Sequence, residues 1–90
     1  MAAPAHPQLA ARVAILRWPD DARRRAALAR QGRPRLLVVP PGTTAPEVVD
    51  DLEDWVRTPC SEHDMWLRLS RLEGLAARAE AAGAAPEATP

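Results

Sequence analysis

Two short aliphatic runs, residues 12–18 (RVAILRW) and 35–39 (RLLVV), flank a segment that carries the start and stop signals of one short helix. Each run is apolar between polar neighbours and reads as a buried strand. Between them, Pro19 and Asp20 form a helix entry, with Asp20 or Asp21 placed to cap free N–H groups. Residues 22–31 are rich in Ala, Arg and Leu, all strong helix formers, and Gly32 followed by Pro34 is a C-terminal stop. Ala22, Ala26 and Ala29 share one face, which predicts close approach of that helix to a sheet. Strand, helix and strand in this order make a βαβ unit, parallel and right-handed.

Downstream, Pro40-Pro41-Gly42 halts the second strand. Residues 45–52 are compatible with a short helix opened by Pro46. Glu53–Arg57 (EDWVR) reads as a third short strand, or as a loop, since three of its five residues are charged. Ser61 then caps the longest helix, residues 62–82, whose Met65, Leu69, Leu72, Ala76 and Ala79 form an amphipathic stripe widened by Leu75. Trp66 lies on the flank of that stripe and Leu67 points away from it. The last two turns extend beyond a three-stranded sheet and call for another surface. The ends differ in composition: residues 1–11 read as a flexible start, 12–82 as one α/β domain, and 83–90 (GAAPEATP) as linker.

Composition narrows the function classes. The chain has 90 residues, and 47% are hydrophobic, but 19 of these are Ala and there is no Phe or Tyr. That leaves a small core and excludes a large enzyme with a deep pocket. The single Cys60 excludes an internal disulfide framework. No apolar run approaches the length of a membrane span, and the start lacks the pattern of a signal peptide, so a cytoplasmic location is expected. All twelve basic residues are Arg, a preference that tracks GC-rich codons.

Net charge is zero but unevenly spread: residues 1–40 carry eight Arg against Asp20 and Asp21, whereas residues 41–64 carry Arg57 against seven acids. Such an arrangement suggests complementary surfaces, within the fold or between copies, and argues against nucleic acid as a direct partner. Arg23-Arg24-Arg25 spread around a helix and read as a solvated face, not a phosphate patch. Asp50, Asp51, Glu53 and Asp54 read as a solvated acidic loop facing Arg residues, not as a cation site. Cys60 and His63 sit three apart at a helix start, but a metal or nucleophile site lacks further partners, because the other histidine, His6, is in the N-terminal segment. The residues therefore imply no cofactor and no catalysis. Trp55 reads as core, and Trp66 as core or interface.

Residues 50–72 (DDLEDWVRTPCSEHDMWLRLSRL) resemble the end of a receiver domain in OmpR-type response regulators. There the last strand reads Asp-Tyr-Leu-x-Lys-Pro-Phe and the last helix Ser-Pro-Glu-Glu-Leu-Leu-Ala-Arg-Val. Here Asp54, Trp55, Val56, Arg57, Thr58, Pro59 and Cys60 fall on the strand motif. Ser61, Met65, Trp66, Arg68, Leu69 and Leu72 follow on the helix motif without a gap. The whole, over residues 12–80, is similar to the shortened, degenerate receiver-like domain of some actinobacterial winged-helix transcriptional regulators.

The resemblance implies a truncated flavodoxin-like parallel sheet of about three strands with two main helices, and the expected order puts the first strand in the centre. It also implies a regulatory and dimerisation role, with DNA bound by a winged-helix domain outside these residues. A free-standing interaction adaptor with no DNA role is the alternative. Phosphoryl chemistry is not implied. Strand one ends in Arg17, Trp18 and Pro19, Pro40 follows the second strand, and Thr58 stands at the Lys position. In that family the last helix and its neighbouring strand form the dimer surface. The matching expectation here is a homodimer through Trp66, Leu67, Arg68 and Arg71, with the two arginines facing Asp50, Asp51 and Asp54 of the other copy.

Overall fold

A computed structural model describes residues 12–84, with side chains to Ala82. The N-terminal segment 1–11, with His6, and all but the first two residues of the 83–90 linker lie outside the described residues. The elements run β1 (Ala14–Arg17), α1 (Ala22–Arg30), β2 (Arg35–Val39), β3 (Glu53–Arg57) and α2 (Glu62–Ala84). The three strands form one parallel sheet, so the fold is α/β with two main helices, consistent with a truncated flavodoxin-like layout.

The strand order is β1-β2-β3, so β2, not β1, is central. This corrects the expected order, and the strand sequences show why. RLLVV is the most continuously apolar of the three, and four of its five residues are buried, as a strand covered on both faces must be. β1 instead exposes Ile15 and Arg17, which suits an edge. Right-handed crossovers that always step in the same direction place both connections on one face of the sheet. Accordingly α1 and the 44–52 segment share one face, and α2 covers the other alone.

Register sorts the side chains. Ile15, Leu36 and Asp54 form one row, and Arg17, Val38 and Val56 the next, all on the α2 face. Ala14, Arg35 and Glu53, then Leu16, Leu37 and Trp55, form the rows on the α1 face. Two small cores result. Val13, Leu36, Val56 and Leu72 pack under α2 with Val38, Cys60, Met65 and Leu69 at the margin. Leu16, Leu28 and Leu37 pack under α1 with Ala14, Trp18 and Trp55.

The helix ends follow their sequences. α1 closes in a Schellman turn: Gly32 takes φ +67°, its N–H bonds the Ala29 carbonyl at 3.1 Å, and the Arg33 N–H bonds the Leu28 carbonyl at 3.0 Å. Ser61 Oγ accepts the Asp64 N–H at 3.0 Å and caps α2 as expected. Asp21 occupies the N-cap position of α1 but does not cap it. Its carboxylate turns back to accept the Arg17 N–H at 2.8 Å, which satisfies a donor on the free edge of β1. Asp54 Oδ1 does the same for the Trp55 N–H on β3, at 2.8 Å. The Trp18–Pro19 and Thr58–Pro59 bonds are cis.

Three local expectations need correction. Residues 45–52 form no helix but run extended and then turn into β3. Side chains take up the backbone groups that a helix would use: Arg25 bonds the Glu47 carbonyl, Trp18 the Thr44 carbonyl, and Glu53 the Val49 N–H. Ala22 and Ala26 are exposed, whereas the packed side of α1 carries Arg25, Leu28 and Ala29. α2 continues to Ala84, with Gly83 inside it, rather than stopping near 82. Its stripe is placed as expected through Ala76, while Ala79 is exposed beyond the sheet. Leu72 has no exposed surface and joins α2 to two strands. Leu72→Ala should therefore destabilise the fold by about 2–5 kcal/mol in urea titrations. Leu67→Ala, on the outer side of the same helix, should cost well under about 1 kcal/mol.

Candidate functional site

The charge asymmetry of the sequence resolves largely within the chain. Arg35 and Glu53 begin adjacent strands, and register sets them side by side on the α1 face. Both side chains are fully shielded from water, with Arg35 Nε 2.8 Å from Glu53 Oε1. From α1, Arg25 reaches the same carboxylate through Nε at 2.9 Å and Nη2 at 2.6 Å. The Val49 N–H adds a bond at 3.1 Å to Glu53 Oε2. The far end of Arg35 bonds Asp50 Oδ2 and the Arg33 carbonyl, both at 2.6 Å. Hence Glu53 and Arg25 do not belong to the solvated loop and solvated helix face that the sequence suggests. They form a buried hub that ties α1, β2, β3 and the 44–52 segment together.

Burial opposes ionisation of Glu53, but the hydrogen bonds from Arg25, Arg35 and the Val49 N–H outweigh it, and its carboxyl titrates below the ordinary value. The bond to Glu53 in turn raises Arg25, against the opposing effect of burial. Such a carboxylate has structural, not acid–base, properties: every oxygen is already taken by a cation or an amide.

In open parallel sheets, ligands bind beyond the carboxyl ends of the strands. Here that rim is a shallow cleft lined by Arg17, Trp18, Pro19, Asp20, Val38, Pro40 and Thr58. Its polar groups are partly committed to the fold. Trp18 Nε1 donates to the Thr44 carbonyl and Thr58 Oγ1 to the Val39 carbonyl, while Arg57, outside the cleft, donates to the Pro40 and Thr43 carbonyls. The Arg25 guanidinium lies 4.9 Å from the Trp18 ring centre. Among the described residues, no group of three His, Cys, Asp or Glu side chains is arranged to hold a metal ion. Cys60 packs at the margin of the core under α2, while His63 stacks on Trp66 with ring centres 6.5 Å apart. Trp55 is half-buried beside the α1-side core, with Arg57 5.5 Å from its ring centre.

The expected interface residues separate into two groups on α2. Arg68 and Arg71 hang over β3 and meet Asp54 of the same chain at 3.3 and 3.5 Å. Asp50 is held by Arg35, and Asp51 is exposed at the turn before β3. Charge pairing that the sequence could assign to two copies is thus made within one for Asp50 and Asp54. On the opposite flank, Glu73 meets Arg12, the residue leading into β1, at 3.1 Å. Trp66 lies seven residues before Glu73 and so shares that flank. Leu67 points outward between the flanks, 46% exposed.

Beside Trp66 runs an open groove of about 610 Å³ along the first half of α2, lined by Cys60, Ser61, Glu62, His63, Met65, Trp66 and Leu69. Neither the groove nor the Glu53 hub was singled out by the sequence. The hub has a signal in retrospect: an Arg and a Glu open two adjacent strands, RLLVV and EDWVR. The groove has none, because it depends on which strands α2 covers. No family model matches the chain, and no curated protein or solved structure resembles it at a significant level.

The lowered Glu53 carboxyl sets a pH dependence with a definite sign. Its contribution is complete above the ordinary carboxylate range and is lost as pH falls through the lowered folded value. Native protein should therefore lose stability on acidification more steeply than Glu53→Gln, which should be less stable at neutral pH by about 3 kcal/mol or more. Urea midpoints measured between neutral and acid pH check both statements.

Proposed function

We propose that the chain is a non-catalytic regulatory and dimerisation module of a cytoplasmic, actinobacterial-type winged-helix transcriptional regulator. DNA binding belongs to a winged-helix domain outside these 90 residues. The observation that carries this reading is the 50–72 segment. Its residues fall on the receiver motif without a gap, and they fold in the order that motif requires: β3, the Thr58–Pro59 turn, the Ser61 cap and α2. Strand order departs from the one the resemblance implied and limits the match to one side of that fold. A flavodoxin-like sheet runs 2-1-3-4-5, and three parallel strands in sequential order correspond to its 3-4-5 side.

The module works without phosphorylation. A receiver needs several acids, among them an Asp acceptor, and a Lys, whereas the rim here is lined by Arg17, Trp18, Pro19, Asp20, Val38, Pro40 and Thr58, with one acid and no Lys. Regulation then rests on association rather than on a phosphoryl switch. No helix among the described residues is long and apolar enough to cross a membrane, which accords with a cytoplasmic regulator.

The test joins this chain to a DNA-binding domain that requires pairing to hold its operator. Operator affinity should rise about tenfold or more over the unfused domain, since pairing makes the second half-site contact intramolecular. Incubation with acetyl phosphate and Mg²⁺ should change neither that affinity nor the intact mass. No gain in affinity, or a gain that depends on a new acyl phosphate, contradicts the proposal.

A further inference from the structure

On the α2 face the sheet is only partly covered. α2 packs against β2 and β3, and β1 lies to its side. An α-helix is about 10 Å across and strands are about 4.8 Å apart, so one helix covers two strands and leaves a third bare. The strip left bare holds Ile15, 46% exposed, with Arg17 in the next row beside half-buried Val38. The flank of α2 that borders this strip is the one carrying Met65, Trp66 and Leu69, which line the open groove. An exposed aliphatic side chain on an edge strand and an open, mainly apolar groove therefore belong to the same face of the sheet.

We infer that this face, not the Arg68–Arg71 flank, is the surface through which two copies of the chain pair. The inference rests on the dimerisation reading above and specifies its geometry. Charge identifies a second copy as the occupant. Arg17, at the carboxyl end of β1, is exposed and has no ion-pair partner among the described residues. Glu62 and Asp64, in the first turn of α2 at the same end of the sheet, are likewise exposed and without ion-pair partners among the described residues. A two-fold axis parallel to the strands sets β1 of each copy against α2 of the other. Ile15 of one copy then enters the Met65–Trp66–Leu69 groove of its partner, and Arg17 of one faces Glu62 of the other.

The arrangement is self-complementary: each copy supplies one knob, one groove, one cation and one anion. The opposite flank offers less to a partner, because Asp54 is already engaged by Arg68 and Arg71 within the chain. A formal net charge of zero also leaves no long-range repulsion between copies.

Sedimentation equilibrium on the full chain tests this, with circular dichroism to confirm that each variant folds. The native chain should dimerise at concentrations up to about 100 μM, and Ile15→Glu should weaken the dimer about tenfold or more. Arg17→Glu should weaken it also, and Arg17→Glu with Glu62→Arg should restore it, a rescue that requires no change to the packed core. Leu67→Glu should leave it intact. A dimer lost in Leu67→Glu but unchanged in Ile15→Glu and Arg17→Glu overturns this surface while leaving the dimerisation reading in place. A native chain that is monomeric throughout overturns both.

Discussion

Glu53 is a carboxylate without access to water, and two guanidinium groups from different elements converge on it. An isolated buried charge costs several kcal/mol, so the sheet cannot close unless Arg35 and Arg25 arrive with it. Arg35 is delivered by strand register alone, because it opens the strand next to the one that Glu53 opens. Arg25 is delivered by α1, and its second contact, on the Glu47 carbonyl, fixes where the crossover from β2 to β3 must run. The bond from the Val49 N–H to Glu53 holds that crossover extended. One ion cluster thus sets the spacing of two strands, the rotation of α1 and the path of the segment that a helix usually fills.

Where local signals and tertiary demands agreed, the fold was legible from sequence. RVAILRW and RLLVV became strands, Gly32 ended α1, and Ser61 capped α2. Where a tertiary contact competed with a local signal, the contact prevailed. Asp21 stands at a helix start yet serves the free edge of β1. Pro46 can open a helix, yet the carbonyls and amides around it are claimed by Trp18, Arg25 and Glu53. Ala22 and Ala26 of α1 are exposed because Arg25 must face the hub. Strand order is hidden from sequence for a related reason. Helical and strand periodicity say which residues are covered, but not which strand lies in the middle. The apolar run Leu36–Val39, beside strands with exposed Ile15 and Arg57, held that information.

The candidate surface was half legible. Trp66 and Leu67 stood out as apolar groups beyond a single buried stripe, but the arginines placed with them belong to the other flank of α2 and are occupied by Asp54. What the sequence lacked was the offset of α2 from β1, which creates the bare strip and the groove together. That offset follows from a sheet of three strands served by one helix on this face. The bare strip and the position of the groove are therefore consequences of the same shortage of covering elements.

The dependence of the fold on the buried pair is open to direct measurement through a double-mutant cycle of Arg35→Met and Glu53→Met, followed by urea unfolding. Each single substitution removes one partner of a buried charge and should cost about 3–5 kcal/mol, whereas the double substitution should cost far less than the two together. A coupling energy of about 2 kcal/mol or more is the predicted result. Losses that simply add, with coupling near zero, would contradict the account.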